Sequence, residues 1–372
     1  MIENANENVT ENATVNAIGY AAENASRNES GNERGNVGLR QRNYLFDFIK
    51  GIAALGVILV HFQFPGVLGK VLCSVGVCGV VFFFLVSGYY AYDADDGTAC
   101  GNLIKRFKRN LVITLVAVAV YSIYTVVEQI ALGTFDIWLQ NFKDPWLIPR
   151  MIFMGDFEFI HGDPLWFMPA LLYSYLVLYL LHRFRISKYA YIALPLLLLL
   201  RIGMETYTNS FGADWHLSGN FLVGGLPVML LGHYVAYRKE RFTEIPFYLT
   251  VPFAAFSAVL MFLTVNLPVF GLDVSQIFKI WCAAEFFILA LRLPEKKGIA
   301  PVGYMGDKLS LYVYLFHYLI GTLISVLLLK LSAPQWISDW VLPVAVTMIS
   351  VAVAAAICAV RRNTGKSKKQ VA

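Results

Sequence analysis

Lys50 and His61 stand eleven residues apart in one apolar run, which begins Tyr44-Leu45-Phe46-Asp47-Phe48-Ile49-Lys50-Gly51 and continues to His61. In an α-helix, eleven steps return to the same face within about 20° and rise about 16 Å. One helix would therefore hold a lysine and a histidine in line, one near each end of a membrane span. Ionisable groups in hydrocarbon are costly, so they tend to face a protein interior or a polar cavity and to mark a functional path. A neutral imidazole in such a place can act as general base on a hydroxyl. Structural roles compete with this one: His61 bonded to a neighbouring helix, Lys50 snorkelling to the interface. Asp47, three residues before Lys50, completes the ionisable set of the segment.

Two further sets could carry chemistry. Lys105-Arg106-Phe107-Lys108-Arg109 places Arg106 and Arg109 three apart, hence on one helical face. Two guanidinium forks there suit phosphate groups; the competing role is a stop-transfer signal just before the third span. Ser310, Tyr314 and His317 follow an i, i+4, i+7 spacing that puts them near one face. For His317 an interhelical hydrogen bond that fixes packing is the preferred expectation. Lys279 and Glu285 are six apart and should pair with polar groups on other helices. Nucleophile elbows, H-E-x-x-H, Walker loops and the Rossmann fingerprint are absent.

The elements that position these residues follow from composition. Of 372 residues, 58% are hydrophobic and 15% charged, and the mean hydropathy is +0.59. A soluble domain has about 45–50% apolar and about 25% charged residues. The chain reads as all-α, a polytopic transmembrane helix bundle. A span needs about 17–25 residues, and ten segments qualify: 45–64, 71–92, 110–132, 164–181, 189–204, 219–237, 246–267, 275–292, 309–329 and 340–360. With both termini cytoplasmic, 23 of the 30 Lys and Arg fall on the cytoplasmic side. Lys70, Lys143, Arg150, Arg201 and Lys330 fall outside, and Lys50 and Lys279 lie within spans. That bias sets the orientation. The net charge of +5 does not point to nucleic acid, because the basic residues lie between apolar spans and not on one surface. Five cysteines lack metal-ligand spacing and read as small apolar fillers.

Three regions result: a tail at 1–43, a membrane domain at 44–360 and a basic tail at 361–372. In the first, Asn recurs every four residues at Asn4, Asn8, Asn12 and Asn16 and again at Asn24, Asn28, Asn32 and Asn36. Such a polar repeat cannot bury enough surface to order itself. The longest outer loop, about 133–163, carries Trp138, Trp146, Asp156, Glu158, His161 and Asp163. It suits an interfacial helix that could roof an outward-facing cavity.

Several stretches together resemble acyltransferase family 3, the integral-membrane acyltransferases that decorate bacterial surface and secreted carbohydrates. They are Asp47-Phe48-Ile49-Lys50-Gly51 through His61, Phe82-Phe83-Phe84-Leu85-Val86-Ser87-Gly88-Tyr89, Arg106-Phe107-Lys108-Arg109, Pro164-Leu165-Trp166-Phe167 and Ser310-Leu311-Tyr312-Val313-Tyr314-Leu315-Phe316-His317. The resemblance covers about 44–360. Two departures stand out: Lys50 replaces the arginine of many members, and Gly219 occupies a place that often holds arginine.

The resemblance implies a multi-pass enzyme of the bacterial plasma membrane. It would move an acyl group, most often acetyl, from cytoplasmic acyl-CoA to a hydroxyl of a carbohydrate or lipid-linked sugar. His61 would be the base, with Lys50 and Asp47 as further catalytic residues at the other end of the same helix. Arg106 and Arg109 would hold the CoA phosphates. Ser87, Trp166, Asn220, Tyr314 and His317 would line the substrate pocket, with Tyr314, Ser87 and Asn220 as candidates for steadying the oxyanion. Acyl-CoA is a co-substrate, and neither a permanently bound cofactor nor a metal is expected. Membrane lipid is a partner. No hydrolase-like domain of the kind some members carry follows the spans, so the chain is expected to act alone, as a homo-oligomer or with a separate extracytoplasmic partner. The competing reading is transport of a small solute such as serine, or of a glycan intermediate.

Overall fold

The computed structural model describes residues 42–370, with side chains described as far as residue 363. The Asn-rich repeat lies outside the described residues. Apart from one isolated bridge between Val269 and Leu272, the described residues are helical or looped.

Each of the ten apolar segments coincides with a helix. In chain order these are α1 (Tyr44–His61), α2 (Gly66–Ala91), α3 (Asp96–Leu132), α4 (Asp163–Arg183), α5 (Ser187–Phe211) and α6 (Phe221–Tyr237). Then follow α7 (Phe247–Asn266), α8 (Ser275–Arg292), α9 (Ala300–Lys330) and α10 (Ile337–Asn363). Among the described residues, eight are long and apolar enough to cross a membrane. The other two are α6, which is short, and α8, which carries Lys279, Glu285 and Arg292. The chain is thus an all-α polytopic bundle.

Several boundaries move. The third helix begins at Asp96, capped by the Asp95 carboxylate through the Thr98 N–H at 2.7 Å. It runs 37 residues, about 55 Å at the helical rise, so Arg106 and Arg109 lie within it and not before it. At its far end Gly133, with φ of 69°, stops it. The last helix continues to Gln370, which makes Arg361 and Arg362 part of it.

A tight crossing joins α2 to α6. A Cβ on Gly88 would lie 1.8 Å from the Met229 carbonyl oxygen, and one on Gly232 would lie 2.0 Å from that of Leu85. Only paired glycines permit this approach, and Ser87 beside Gly88 is thereby turned to a cavity. Helix α1 packs on both α2 and α9. Phe46 anchors it to α8, its ring 4.6 Å from that of Phe287.

Buried charge sits at Arg201. The fifth helix runs to Phe211, beyond the expected end at 204, and Arg201 within it is buried in the bundle. Its guanidinium donates to the carbonyls of Gly224 and Val223, in the π-turn that opens α6. Lys279 pairs across helices with Glu205 at 3.3 Å, as expected. Glu285 does not; it accepts from Trp281 of its own helix at 3.0 Å.

Candidate active site

A cavity of about 980 Å³ opens at the end of the bundle that carries the basic loops. Its wall holds Lys50, Arg106, Arg109, Lys308, Arg361 and Arg362 against one carboxylate, Asp307. Lys50 is steadied by Asp47, one helical turn away at 2.9 Å. The start of α9 lies hard against this turn: a Cβ on Gly306 would lie 1.7 Å from the Asp47 carbonyl oxygen. Asp47 thus acts on Lys50, while Lys50 faces the cavity. Arg106 is half-buried and Arg109 exposed. Asp307 pairs with Lys308 at 3.0 Å, and Arg361 donates to the Tyr312 hydroxyl. Excess positive charge in a cleft with low-dielectric walls concentrates anions.

A second cavity, of about 360 Å³, lies toward the opposite end. His61 lines it, with Trp166, Trp215, Glu158 and Asp163. The two indoles meet edge to face, their centroids 6.3 Å apart. Among the described residues, no lysine or arginine lines this space. Tyr314 belongs to the walls of both cavities. Its hydroxyl donates to the Pro164 carbonyl at 2.9 Å, joining α9 to the first turn of α4. That contact forms part of the partition between a cationic space and an aromatic, acidic one.

His61 meets this partition through two rings of α9. Its ring centroid is 5.3 Å from that of His317 and 5.2 Å from that of Tyr318. The Tyr318 hydroxyl interacts in turn with Asp163, whose charge also acts on His61. His317 is fully buried. Its Nδ1 lies 2.7 Å from the Tyr314 carbonyl, so Nδ1 carries the proton and donates. Nε2 is left as a buried acceptor with no partner among the described residues. The interhelical hydrogen bond expected of His317 is absent among them; its one bonded nitrogen serves its own helix.

The structure brings most sequence-picked residues to the two cavities and separates them into two groups. Lys50, Ser87, Arg106 and Arg109 line the first, His61 and Trp166 the second, and Tyr314 both. Asn220 lines neither. Its Oδ1 accepts from Leu222 and Val223 at 3.0 and 3.1 Å, and its Nδ2 donates to His216 and Leu217. That is a helix cap whose bonding capacity is spent. Before Asn220, the loop that carries Trp215 is pinned by Asp214. Burial alone would raise the Asp214 carboxyl, but the ring and backbone N–H groups of His216 bond to it and hold it below its ordinary range.

Sequence reasoning singled out neither Trp215, Lys308, Arg361 nor Arg362 as site residues. It placed Glu158 and Asp163 only in a roofing loop. The position of Asp163, one residue before Pro164-Leu165-Trp166-Phe167, was the available signal.

Comparison with protein families gives the class its name. Residues 43–359 match the model described as an acyltransferase domain, that of acyltransferase family 3, and the chain belongs to this family. It is a membrane acyltransferase. No curated protein and no solved structure matches it.

Proposed function

We propose that the chain transfers an acyl group, most often acetyl, from cytoplasmic acyl-CoA to a hydroxyl of a cell-surface or exported carbohydrate, in a bacterial plasma membrane. The observation that carries this reading is the place of Tyr314 in both cavity walls. The cationic cavity suits the phosphates of CoA, with Arg106 and Arg109 as bidentate partners. In the other cavity, the Trp166 and Trp215 faces suit the C–H faces of a sugar, and Glu158 suits its hydroxyls.

The acceptor oxygen attacks the thioester carbonyl while His61 takes its proton. The carbon–sulfur bond then breaks, and the proton passes to the departing CoA thiolate. Positioned proton transfer of this kind is worth about 10²–10⁴-fold in rate. Asp163 lines the same cavity as His61. An oxyanion role for Tyr314 requires its hydroxyl to leave the Pro164 carbonyl as the thioester arrives.

The test uses purified protein in vesicles, with labelled acetyl-CoA on the face bearing Arg106 and a glycoside acceptor on the other. Ester should form on the acceptor. Arg106→Ala with Arg109→Ala should raise the acetyl-CoA concentration for half-maximal rate about tenfold or more, since hydrogen bonds to charged groups contribute about 1.5–3 kcal/mol. Orientation in the vesicle should be unchanged. Labelled serine crossing the membrane with no ester formed would make the chain a transporter, and unaltered donor dependence would return the arginines to a topology role.

A further inference from the structure

Asn110 sits in the wall of the cationic cavity and is 2% exposed. Its side-chain Oδ1 is buried without a hydrogen-bond partner among the described residues. Its backbone carbonyl is taken, accepting from the Thr114 hydroxyl at 2.8 Å, so the unpaired group is the carboxamide alone. Buried polar atoms in native proteins are nearly always bonded, and one that is not asks for an explanation. Leaving it unpaired costs free energy in the ligand-free protein. Apolar residues would pack the same wall at no such cost, as neighbouring Ile113 and Leu171 do.

Position says what kind of group would complete it. Arg106 is one helical turn before Asn110, on the same face of α3, and Arg109 precedes it directly. A ligand whose phosphates rest on the two arginines would lay its next portion over Asn110. A carboxamide offers an acceptor and a donor side by side. An alkyl chain or a bare phosphate cannot satisfy both, but a secondary amide can. Across the cavity, the Ser310 hydroxyl is turned to the Gly306 carbonyl of its own helix at 2.9 Å, so it does not compete for that amide as a donor.

We propose that Asn110 recognises the donor's pantetheine arm, its carboxamide pairing with a secondary amide of that arm. This rests on the acyl-CoA reading above and adds a residue and a point of contact to it. The pairing sets the depth at which the thioester stops, between the phosphates at Arg106 and the partition at Tyr314.

The experiment measures dissociation constants for CoA and for adenosine 3′,5′-bisphosphate, which has phosphates but no pantetheine, on the full chain in lipid nanodiscs. Asn110→Leu should weaken CoA about tenfold, the worth of one well-made buried hydrogen bond. It should leave the bisphosphate unchanged. Arg106→Ala should weaken both. Without ligand, Asn110→Leu should melt at the same temperature as the parent or higher, because it removes an unpaired buried group; a residue with a structural role would lose stability instead. Asn110→Thr, with a smaller change of shape, should repeat the selective loss of CoA affinity. Equal weakening of both probes, or of neither, overturns the role of Asn110 while leaving the acyl-CoA reading intact. A parent protein that binds the bisphosphate but gains nothing from the arm of CoA also overturns it. Failure of the parent to bind CoA overturns both.

Discussion

Two histidine pairs occupy this bundle at almost the same spacing and in opposite states. His182 and His233 have ring centroids 5.1 Å apart, and His61 and His317 are 5.3 Å apart. In the first pair the bonds run in one chain. The Tyr191 hydroxyl donates to His233 Nδ1 at 2.9 Å, His233 Nε2–H donates to His182 Nε2 at 2.9 Å, and His182 Nδ1–H donates to Asp96 at 2.7 Å. With Asp96 ionised, this order uses both nitrogens of each ring. The chain ties α3, α4, α5 and α6 together. In the second pair, His317 Nε2 has no partner among the described residues, and His61 faces a cavity. A saturated pair is a clasp, whereas a pair with bonding capacity left over can receive a proton or a substrate. Residue type and spacing are nearly the same, so bonding saturation is what distinguishes the two pairs.

The sharpest way to break this comparison is to remove the open pair's exposed member. His61→Ala should lower acyl transfer by about 10²–10⁴-fold while the protein still inserts and accumulates. His61→Gln keeps some size and hydrogen bonding but cannot take a proton, so it should fail nearly as badly. If Gln restores most of the rate, His61 is structural and His317 becomes the base. His317→Phe is the next test and should act through His61. We expect kcat to fall about tenfold, the loss of one hydrogen-bond acceptor for the imidazolium. The acceptor KM should stay near its parent value, and the melting temperature should not fall. A stability loss with unchanged kcat would make both pairs clasps.

Much of the open pair's setting is legible in the amino-acid sequence. Lys50 and His61 share a helix, and helical period alone places them in line. Arg106 and Arg109 are readable for the same reason. The ten helices are readable as apolar runs, because a membrane span is a one-dimensional signal. What fails is whatever depends on distant partners. The members of the saturated pair are 51 residues apart, and Asp96 is 86 from His182. No local pattern links them. The bonding of Arg201 is not legible either, because beside Glu205 of its own helix its partners are the carbonyls of a π-turn in another helix. Asn220 is a different case: a lone Asn directly before an apolar helical run is a capping signal, and resemblance drew it into the substrate pocket instead.

The saturated pair should answer to stability and not to chemistry. His182→Phe leaves the His233 Nε2–H without its acceptor and removes the donor to Asp96. The buried His233 N–H stranded in this way costs about 1–3 kcal/mol, whereas the Asp96 carboxylate, 36% exposed, can turn to water. Thermal unfolding in the same lipid should come at lower temperature, while kcat at a permissive temperature stays within about twofold of the parent, since the pair touches neither cavity at Tyr314. A large fall in kcat with unchanged melting would show that saturation is a poor guide to role.

The smallest expected effect is at the end of the same chain. Tyr191→Phe removes only the hydroxyl that donates to His233 Nδ1, and leaves the His233–His182 and His182–Asp96 bonds in place. A net hydrogen bond contributes about 0.5–1.5 kcal/mol, and two features should keep the loss at the lower end. Tyr191 lines a separate cavity of about 490 Å³, so water can reach the freed nitrogen and bond to it. The ring itself remains, with its stacking on Tyr237 at 5.2 Å. The expected result is a barely lowered melting temperature and a normal kcat. The double variant with His182→Phe should lose less than the sum of the two single losses, because His233 has already lost the partner that fixes its tautomer. Strict additivity, measured as a double-mutant cycle on thermal stability, would mean that the bonds act separately and that the clasp is not one unit.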